Sequence, residues 1–289
     1  MKSLSPTTPP IFRDTVARTP NGPLFDIHVN LGATDTEGIG YGRLACDEYV
    51  ETMTEAGVRR ACVFPPLMAD YHTANDRLRE WATRQGDHIL PFARLGGNTG
   101  PRPIRRFWQA RQSLRARLTA TSSAAPTIDL SGFAGIKLIP HLSGLPDAAT
   151  FDAINRLGLP ILVHTGAHSP PNWIAETLLP KLDTPLILAH LGAYPTEASL
   201  LADAVEWAQR EPRIHLDTSG VWVSEFIRYA ARYVWHKMLF GSDAPLAHPE
   251  VAWLQLASAL RDDRQLEAIG WQNAERVFAS WLDKTNDHD

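Results

Sequence analysis

Two stretches of the sequence, LPILVHTG and PLILAHLG, repeat one design: an apolar run that ends in a histidine, His164 in the first and His190 in the second. An imidazole titrates near neutral pH and serves as metal ligand, general acid or general base. A single histidine at the end of a buried run is most often a hydrogen-bonded core residue. Two in register, one structural unit apart, favour chemistry. Three further segments carry polar groups in similar settings: FDIHVN supplies His28 and Asn30, GIKLIP supplies Lys137, and LFGSDAP supplies Asp243. Three imidazoles and a carboxylate arriving from separate segments suit Zn²⁺ or a similar borderline divalent ion. Lys137 stands in an otherwise apolar run, where an uncompensated ammonium is costly, so it needs a partner or a task.

The elements that must position these groups follow from the spacing. Short runs of β-branched residues and leucine bounded by Pro and Gly read as buried parallel strands. Between the two histidine runs, SPPNWIAETLLPKLD has a Pro-rich entry and helical apolar spacing. The unit is therefore β-α-β, with both histidines at the C-terminal ends of strands, the edge where α/β sheets place ligands.

LFDIHVN, RRACVFPP, ILPFARLGG, GFAGIKLIP, the two histidine runs, RIHLDTSGVW and KMLFGSDAP make eight strand-like runs, each followed by a helical pattern. This alternation predicts an α/β fold, a single (β/α)8 barrel over residues 23–289 with NAERVFASWL as a C-terminal packing helix, preceded by an N-terminal arm of residues 1–22. In the first strand Phe25, Ile27 and Val29 alternate with Asp26, His28 and Asn30, and the Gly-rich LGATDTEGIGYG that follows is a loop long enough to border a site. PRPIRRFWQARQSLRARLTATSS reads as an amphipathic helix whose positive charges form its solvated face. No GxGxxG follows the first strand, which argues against a dinucleotide-binding open sheet.

Composition removes several classes of function. A chain of 289 residues with formal net charge −4 and no Lys/Arg cluster interleaved with aromatics offers nothing to nucleic acid. Cys46 and Cys62 are spaced neither as a zinc knuckle nor as a redox pair and fit a reducing compartment. No apolar run approaches the roughly 20 residues of a membrane span, and MKSLSPTTPP lacks a signal-peptide core, so a cytoplasmic protein with no membrane partner is expected. Ser242 lacks a GxSxG elbow, which sets aside a serine hydrolase. His141, His168 and His248 lie just beyond strands four, five and eight, within reach of a small-molecule substrate, while Asp217 and Trp222 flank strand seven, where Trp222 either walls a pocket or packs. Tyr229, Tyr233, Trp235 and Trp253 suit a homodimer surface and core packing equally.

Taken in order, the motifs resemble the amidohydrolase superfamily, in particular the amidohydrolase-related branch of TIM-barrel hydrolases, lactonases and nonoxidative decarboxylases. FDIHVN resembles its strand-one Asp-x-His-x-His signature, GIKLIP its strand-four segment, VHTG and AHLG its strand-five and strand-six histidines, LFGSDAP its strand-eight aspartate motif, and NAERVF its C-terminal closure, together covering about residues 24 to 280. The resemblance implies that His28, His164 and Asp243 bind a divalent metal, with Asp243 also acting as base. It implies that His190 is an acid or base beside the metal, or a ligand in a binuclear site. Lys137 stands where binuclear members carry a carboxylated lysine; a cation that steadies a substrate carboxylate is an equal reading. Asn30 replaces the second histidine of the signature and is a weaker ligand, which leaves metal identity open, and a metal-free mechanism with it. His141, His168 and Trp222 join Lys137 as candidate substrate contacts. The expected activity is metal-dependent hydrolysis of an amide, ester or lactone bond in a small polar molecule. Nonoxidative decarboxylation of a small carboxylated substrate is the alternative, and a noncatalytic small-molecule binder on a degenerate scaffold is a third.

Overall fold

Short runs rich in Val, Ile, Leu and Phe form strands buried largely on both faces, and eight such strands build the molecule. The computed structural model describes residues 20, 22–32, 45–67, 71–96 and 129–286. In chain order the strands are β1 (Leu24–Asn30), β2 (Val58–Phe64), β3 (Ile89–Leu95), β4 (Gly135–Leu138), β5 (Ile161–Val163), β6 (Leu186–Leu188), β7 (Ile214–Asp217) and β8 (Met238–Leu239). Each pairs in parallel with the next, in the order β1 to β8. The two outer strands then meet: Ile27 N–H donates to Phe240 O at 2.9 Å, Asp243 N–H to His28 O at 2.9 Å, and Asn30 N–H to Ala244 O at 2.7 Å. The barrel expected from the alternation is the fold observed.

The helices are α1 (Cys46–Glu55), α2 (Tyr71–Thr83), α3 (Pro140–Ser143), α4 (Ala148–Leu157), α5 (Pro171–Leu178), α6 (Ala198–Arg210), α7 (Ser224–Val234), α8 (Pro249–Ala259), α9 (Asp263–Glu267) and α10 (Asn273–Asn286). Local chemistry sets their ends. Asp147 caps α4 by accepting from Thr150 N–H at 2.8 Å, and Gly158, at φ 71°, ends it in the left-handed conformation. Most of the expected N-terminal arm, most of the Gly-rich loop and the basic segment 101–123 lie outside the described residues. No described helix is long and apolar enough to cross a membrane. Of the four aromatics that suited either a surface or a core, Tyr229 and Tyr233 are exposed, Trp235 is half-buried and Trp253 is buried.

Two apolar layers hold the barrel. Val29, Val63, Ile136, Val163, Leu188 and Leu216 face the helices and pack with Ile154, Ile174 and Leu201. Their alternates Phe25, Ile27, Cys62, Leu90, Phe92, Leu162, Ile187 and Leu239 fill the interior together with Phe278 and Leu282 of α10. The Phe278 ring lies 5.5 Å from Phe25 and 5.8 Å from Phe92. Since Phe25 begins β1 and His28 sits near its end, α10 closes the end of the barrel opposite the polar residues.

The strict alternation predicted for β1 breaks at one place. Asp26 pairs with Ala61 and Val29 with Val63, so β1 takes three steps where β2 takes two. This is a β-bulge, and bulges re-aim side chains beside functional sites. Phe25 and Ile27 point into the interior and Val29 faces the helices. The extra residue lets His28 follow Ile27 toward the interior instead of turning outward. The bulged His28 N–H is taken up by Asp26 Oδ1 at 3.2 Å.

Phe278 anchors the plug yet lies far from the polar end. Phe278→Ala is expected to cost about 3–5 kcal/mol through lost burial and the cavity left behind. Urea unfolding checks this, with site properties unchanged in the folded variant.

Candidate metal centre at the strand ends

The polar residues singled out in the sequence converge where β1, β4, β5, β6 and β8 end. His28, His190 and Asp243 are buried, and each offers a ligand atom within 4.8 Å of the others. His28 Nε2 lies 3.3 Å from Asp243 Oδ1. Two ligands on one tetrahedral Zn²⁺ lie roughly 3.4 Å apart, so this donor pair has the spacing of ligands on a shared ion.

Backbone strain marks the same residues. His190 (φ 60°), Leu191 (φ 51°) and Asp243 (φ 63°) are the non-glycine residues at positive φ among those described. Such conformations cost on the order of 1–3 kcal/mol each and persist only where surrounding contacts over-determine them. Here those contacts are visible. Asp243 is tied by its N–H to His28 O, and His190 Nδ1 sits 3.0 Å from Ser219 O.

The segment after β7 positions both imidazoles. His28 Nδ1 lies 2.7 Å from Asp217 Oδ2, and Ser219 Oγ lies 2.8 Å from His28 Nδ1, 3.1 Å from His190 Nδ1 and 2.5 Å from Asp217 Oδ2. With Nδ1–H donated to the carboxylate, His28 presents the Nε2 lone pair to the centre. With its Nδ1–H donated to a carbonyl, His190 keeps Nε2 as an acceptor, 3.1 Å from His164 Nδ1. This is the carboxylate–histidine support common to metal sites, which fixes tautomer and ring orientation together. Burial alone would raise Asp217, but the His28 and His190 rings and the Ser219 hydroxyl hold it down to about 2. Gly241 makes room for it: a Cβ there would sit 2.2 Å from Asp217 Oδ1 and 2.9 Å from His28 Cβ. Sequence reasoning placed Asp217 among the weaker candidates and missed Ser219. Their only signal was the polar D-T-S that ends strand seven.

Asn30 meets the centre through its amide nitrogen, donating to Asp243 Oδ1 at 3.0 Å and to Ala244 O at 3.3 Å. Lys137 Nζ lies 3.0 Å from His28 Nε2 and 4.8 Å above the Phe64 ring. Burial pulls its amine down to about 7. Arg94, missed in the sequence, is its register partner on β3, is buried, and donates to Pro65 O at 2.8 Å. Asp26 accepts from Ser242 N–H at 2.9 Å and from its hydroxyl at 2.5 Å, so Ser242 is a clamp between β1 and the strand-eight turn. Burial raises Asp26 to about 7.

His164, implied as a ligand by the resemblance, stands on the outer side of the buried group, with Nδ1 3.1 Å from His190 Nε2. From there the rings continue outward, His164 to His141 at 5.1 Å and His141 to the exposed His168 at 5.3 Å. Trp222, 57% exposed, lines a small cavity that reaches His190, together with Tyr194 and Phe226. His248 is exposed and caps α8 by accepting from Glu250 N–H at 3.3 Å.

A parallel barrel carrying a buried His–His–Asp group at its strand ends defines a barrel enzyme with a candidate metal centre. Residues 47–279 match the family model described as Amidohydrolase, and the chain belongs to the amidohydrolase family, whose members are enzymes and usually metal-dependent. Among solved structures it is similar to 2,6-dihydroxybenzoate decarboxylase from Rhizobium, at 16% identity over 90% of this chain and 99% of that one, with a TM-score of 0.60. A probable 2-pyrone-4,6-dicarboxylic acid hydrolase from Acinetobacter baumannii matches at 15% identity, 89% and 99% coverage and TM-score 0.60. A 5-carboxyvanillate decarboxylase from Sphingomonas paucimobilis matches at 14%, 89% and 99%, and 0.56. At these identities the likeness is one of fold. No curated protein matches the sequence.

Two predictions follow from the geometry. Asp217→Asn keeps the shape but removes the carboxylate that orients His28, and metal affinity is expected to fall by about 10–100-fold. Competition against a chromophoric chelator measures it. Burial holds His28, His141 and His190 down to about 4 and His164 well below the usual imidazole range, so the folded chelated protein keeps all four neutral. The unfolded chain protonates them near pH 6.5, so stability is complete above that pH and is lost as pH falls toward 4. The buried carboxyls of Asp26 and Asp243, both raised, act in the opposite sense. His215, which burial also holds down to about 4, adds a fifth imidazole, and five imidazoles outweigh two carboxyls, leaving a net loss of stability as pH falls from about 6 to 5. Denaturant titrations in chelator across that window check the slope, and a flat profile contradicts it.

Proposed function

We propose that this protein is a metal-dependent hydrolase that opens an amide, ester or lactone bond in a small polar molecule. The observation that carries the reading is the buried group of His28, His190 and Asp243, whose ligand atoms lie within 4.8 Å of one another and two of whose members sit on strained backbone. A divalent ion at such a centre supplies a water of lowered pKa and polarises a carbonyl.

The chain's own residues supply the rest. Burial makes Asp243 more basic than an ordinary carboxylate, which suits it to take a proton from water. Asn30 donates to its Oδ1, leaving Oδ2 on the side of Gly220. His164 and His190 form a hydrogen-bonded pair, and between them they provide the second nitrogen ligand and the group that exchanges a proton with the departing atom. A small cavity walled by Trp222, Tyr194 and Phe226 lies beside His190.

One observation favours a second reading, nonoxidative decarboxylation. Arg94 and Lys137 are register partners, both buried beside the centre, and two cations suit a substrate carboxylate. A screen of lactones, amides and aromatic carboxylic acids, following both acid release and carbon dioxide, separates the two. Hydrolysis is expected, and carbon dioxide release without hydrolysis would favour the second reading. Asp243→Asn is expected to lower turnover by about 10²–10⁴-fold. No turnover in either arm would remove both readings and leave a binding protein.

A further inference from the structure

Lys137 occupies a place that neither a carboxylated bridge nor a substrate-binding cation requires. Its Nζ lies 3.0 Å from His28 Nε2, the nitrogen that faces the centre. The opposite nitrogen of the same ring is committed, because Nδ1 lies 2.7 Å from Asp217 Oδ2 and gives that carboxylate its hydrogen. Nε2 therefore carries a lone pair, and the Lys137 amine must be the donor. Asp217, His28 and Lys137 make a buried carboxylate–imidazole–amine line, in which the amine takes up the ring lone pair that a metal would need.

We infer that Lys137 is a built-in competitor for the metal, donating a hydrogen to the lone pair of His28 Nε2 that an ion must take. The inference rests on reading His28, His190 and Asp243 as a metal centre. One lone pair cannot serve both, so metal entry requires the amine to withdraw. The amine is well held where it is: its stem is buried, and the Phe64 ring lies beneath the nitrogen at 4.8 Å. Asn30 bears on the same balance. It binds Asp243 Oδ1 through a hydrogen, so it steadies the carboxylate without adding a donor nitrogen for the ion. Lys137 thus satisfies His28 without metal, and it lowers the affinity with which metal is taken up.

The sign of one substitution distinguishes this from the other roles. Lys137→Met keeps the stem, removes the hydrogen and leaves the buried Nε2 without a partner until metal arrives. A bridging or ligating lysine predicts weaker metal binding in this variant, and a bystander predicts no change. Competition predicts tighter binding, by about tenfold, the scale of one lost hydrogen bond to a buried group. The measurement is Zn²⁺ titration of chelator-stripped full-length protein against a chromophoric chelator, with circular dichroism on each variant. Should Lys137→Met fail to fold, Lys137→Leu carries the same test, since it too lacks a donor. Tighter binding by the variant, with His28→Ala weakening binding, supports the inference. Binding by the parent that is unchanged or weakened in the variant overturns the competition while leaving the metal centre standing. No binding by parent or variant overturns both.

Discussion

The site depends on a hydrogen bond that never touches substrate. Asp217 Oδ2 and His28 Nδ1 meet at 2.7 Å in a fully buried setting, and from that contact follow the tautomer of His28, the direction of its lone pair and the partner available to Lys137. Ser219 extends the control to His190 through its hydroxyl and its carbonyl. One short segment after β7 therefore orients imidazoles from β1 and β6, and Gly241 is small because that carboxylate passes close by. The cost of burying Asp217 is offset because each of its oxygens has a partner, Ser219 N–H on Oδ1 and the His28 ring on Oδ2.

Much of this arrangement was visible in the residue pattern. The eight alternating units predicted the barrel, and the terminal His, Lys and Asp of successive strands predicted which side chains would gather, because a parallel barrel sends all strand ends to one face. The pattern did not reveal the bulge in β1. Alternation in FDIHVN looked regular, and a single extra residue leaves no compositional trace. Nor did it reveal that His190 stands closer to His28 and Asp243 than His164 does. That depends on left-handed turns at His190 and Leu191, non-glycine residues whose types do not announce positive φ. Asp217 ranked only as a weaker candidate and Ser219 escaped notice for a related reason: supporting groups are recognised by what they touch, and contacts across the barrel are invisible in one dimension.

The barrel separates its tasks along its axis. At one end Phe25, Phe92 and Phe278 pack as aromatic rings closed over by α10, with no titratable group required. At the other, the centre gathers His28, His190, Lys137, Asp217 and Asp243, with strained backbone at two of them. Strain and buried charge are tolerable there because stability is supplied elsewhere, and barrels place chemistry on the face that their loops can vary.

Charge gives this division a direction. Among the described residues the buried charged side chains are Asp26, Asp217, Asp243, Arg94 and Lys137, and they lie on strands, or for Asp243 in the turn after β8, that meet at the polar end. Asp26 is spent on Ser242 and the bulged His28 N–H, which leaves Asp217 and Asp243 beside the centre. Burial acts to remove the proton of Lys137 while both carboxylates act to keep it. A divalent ion there would feel the same two carboxylates with twice the charge. The lysine and the ion therefore answer one electrostatic requirement, and the geometry of a single imidazole lone pair decides which of them is in place.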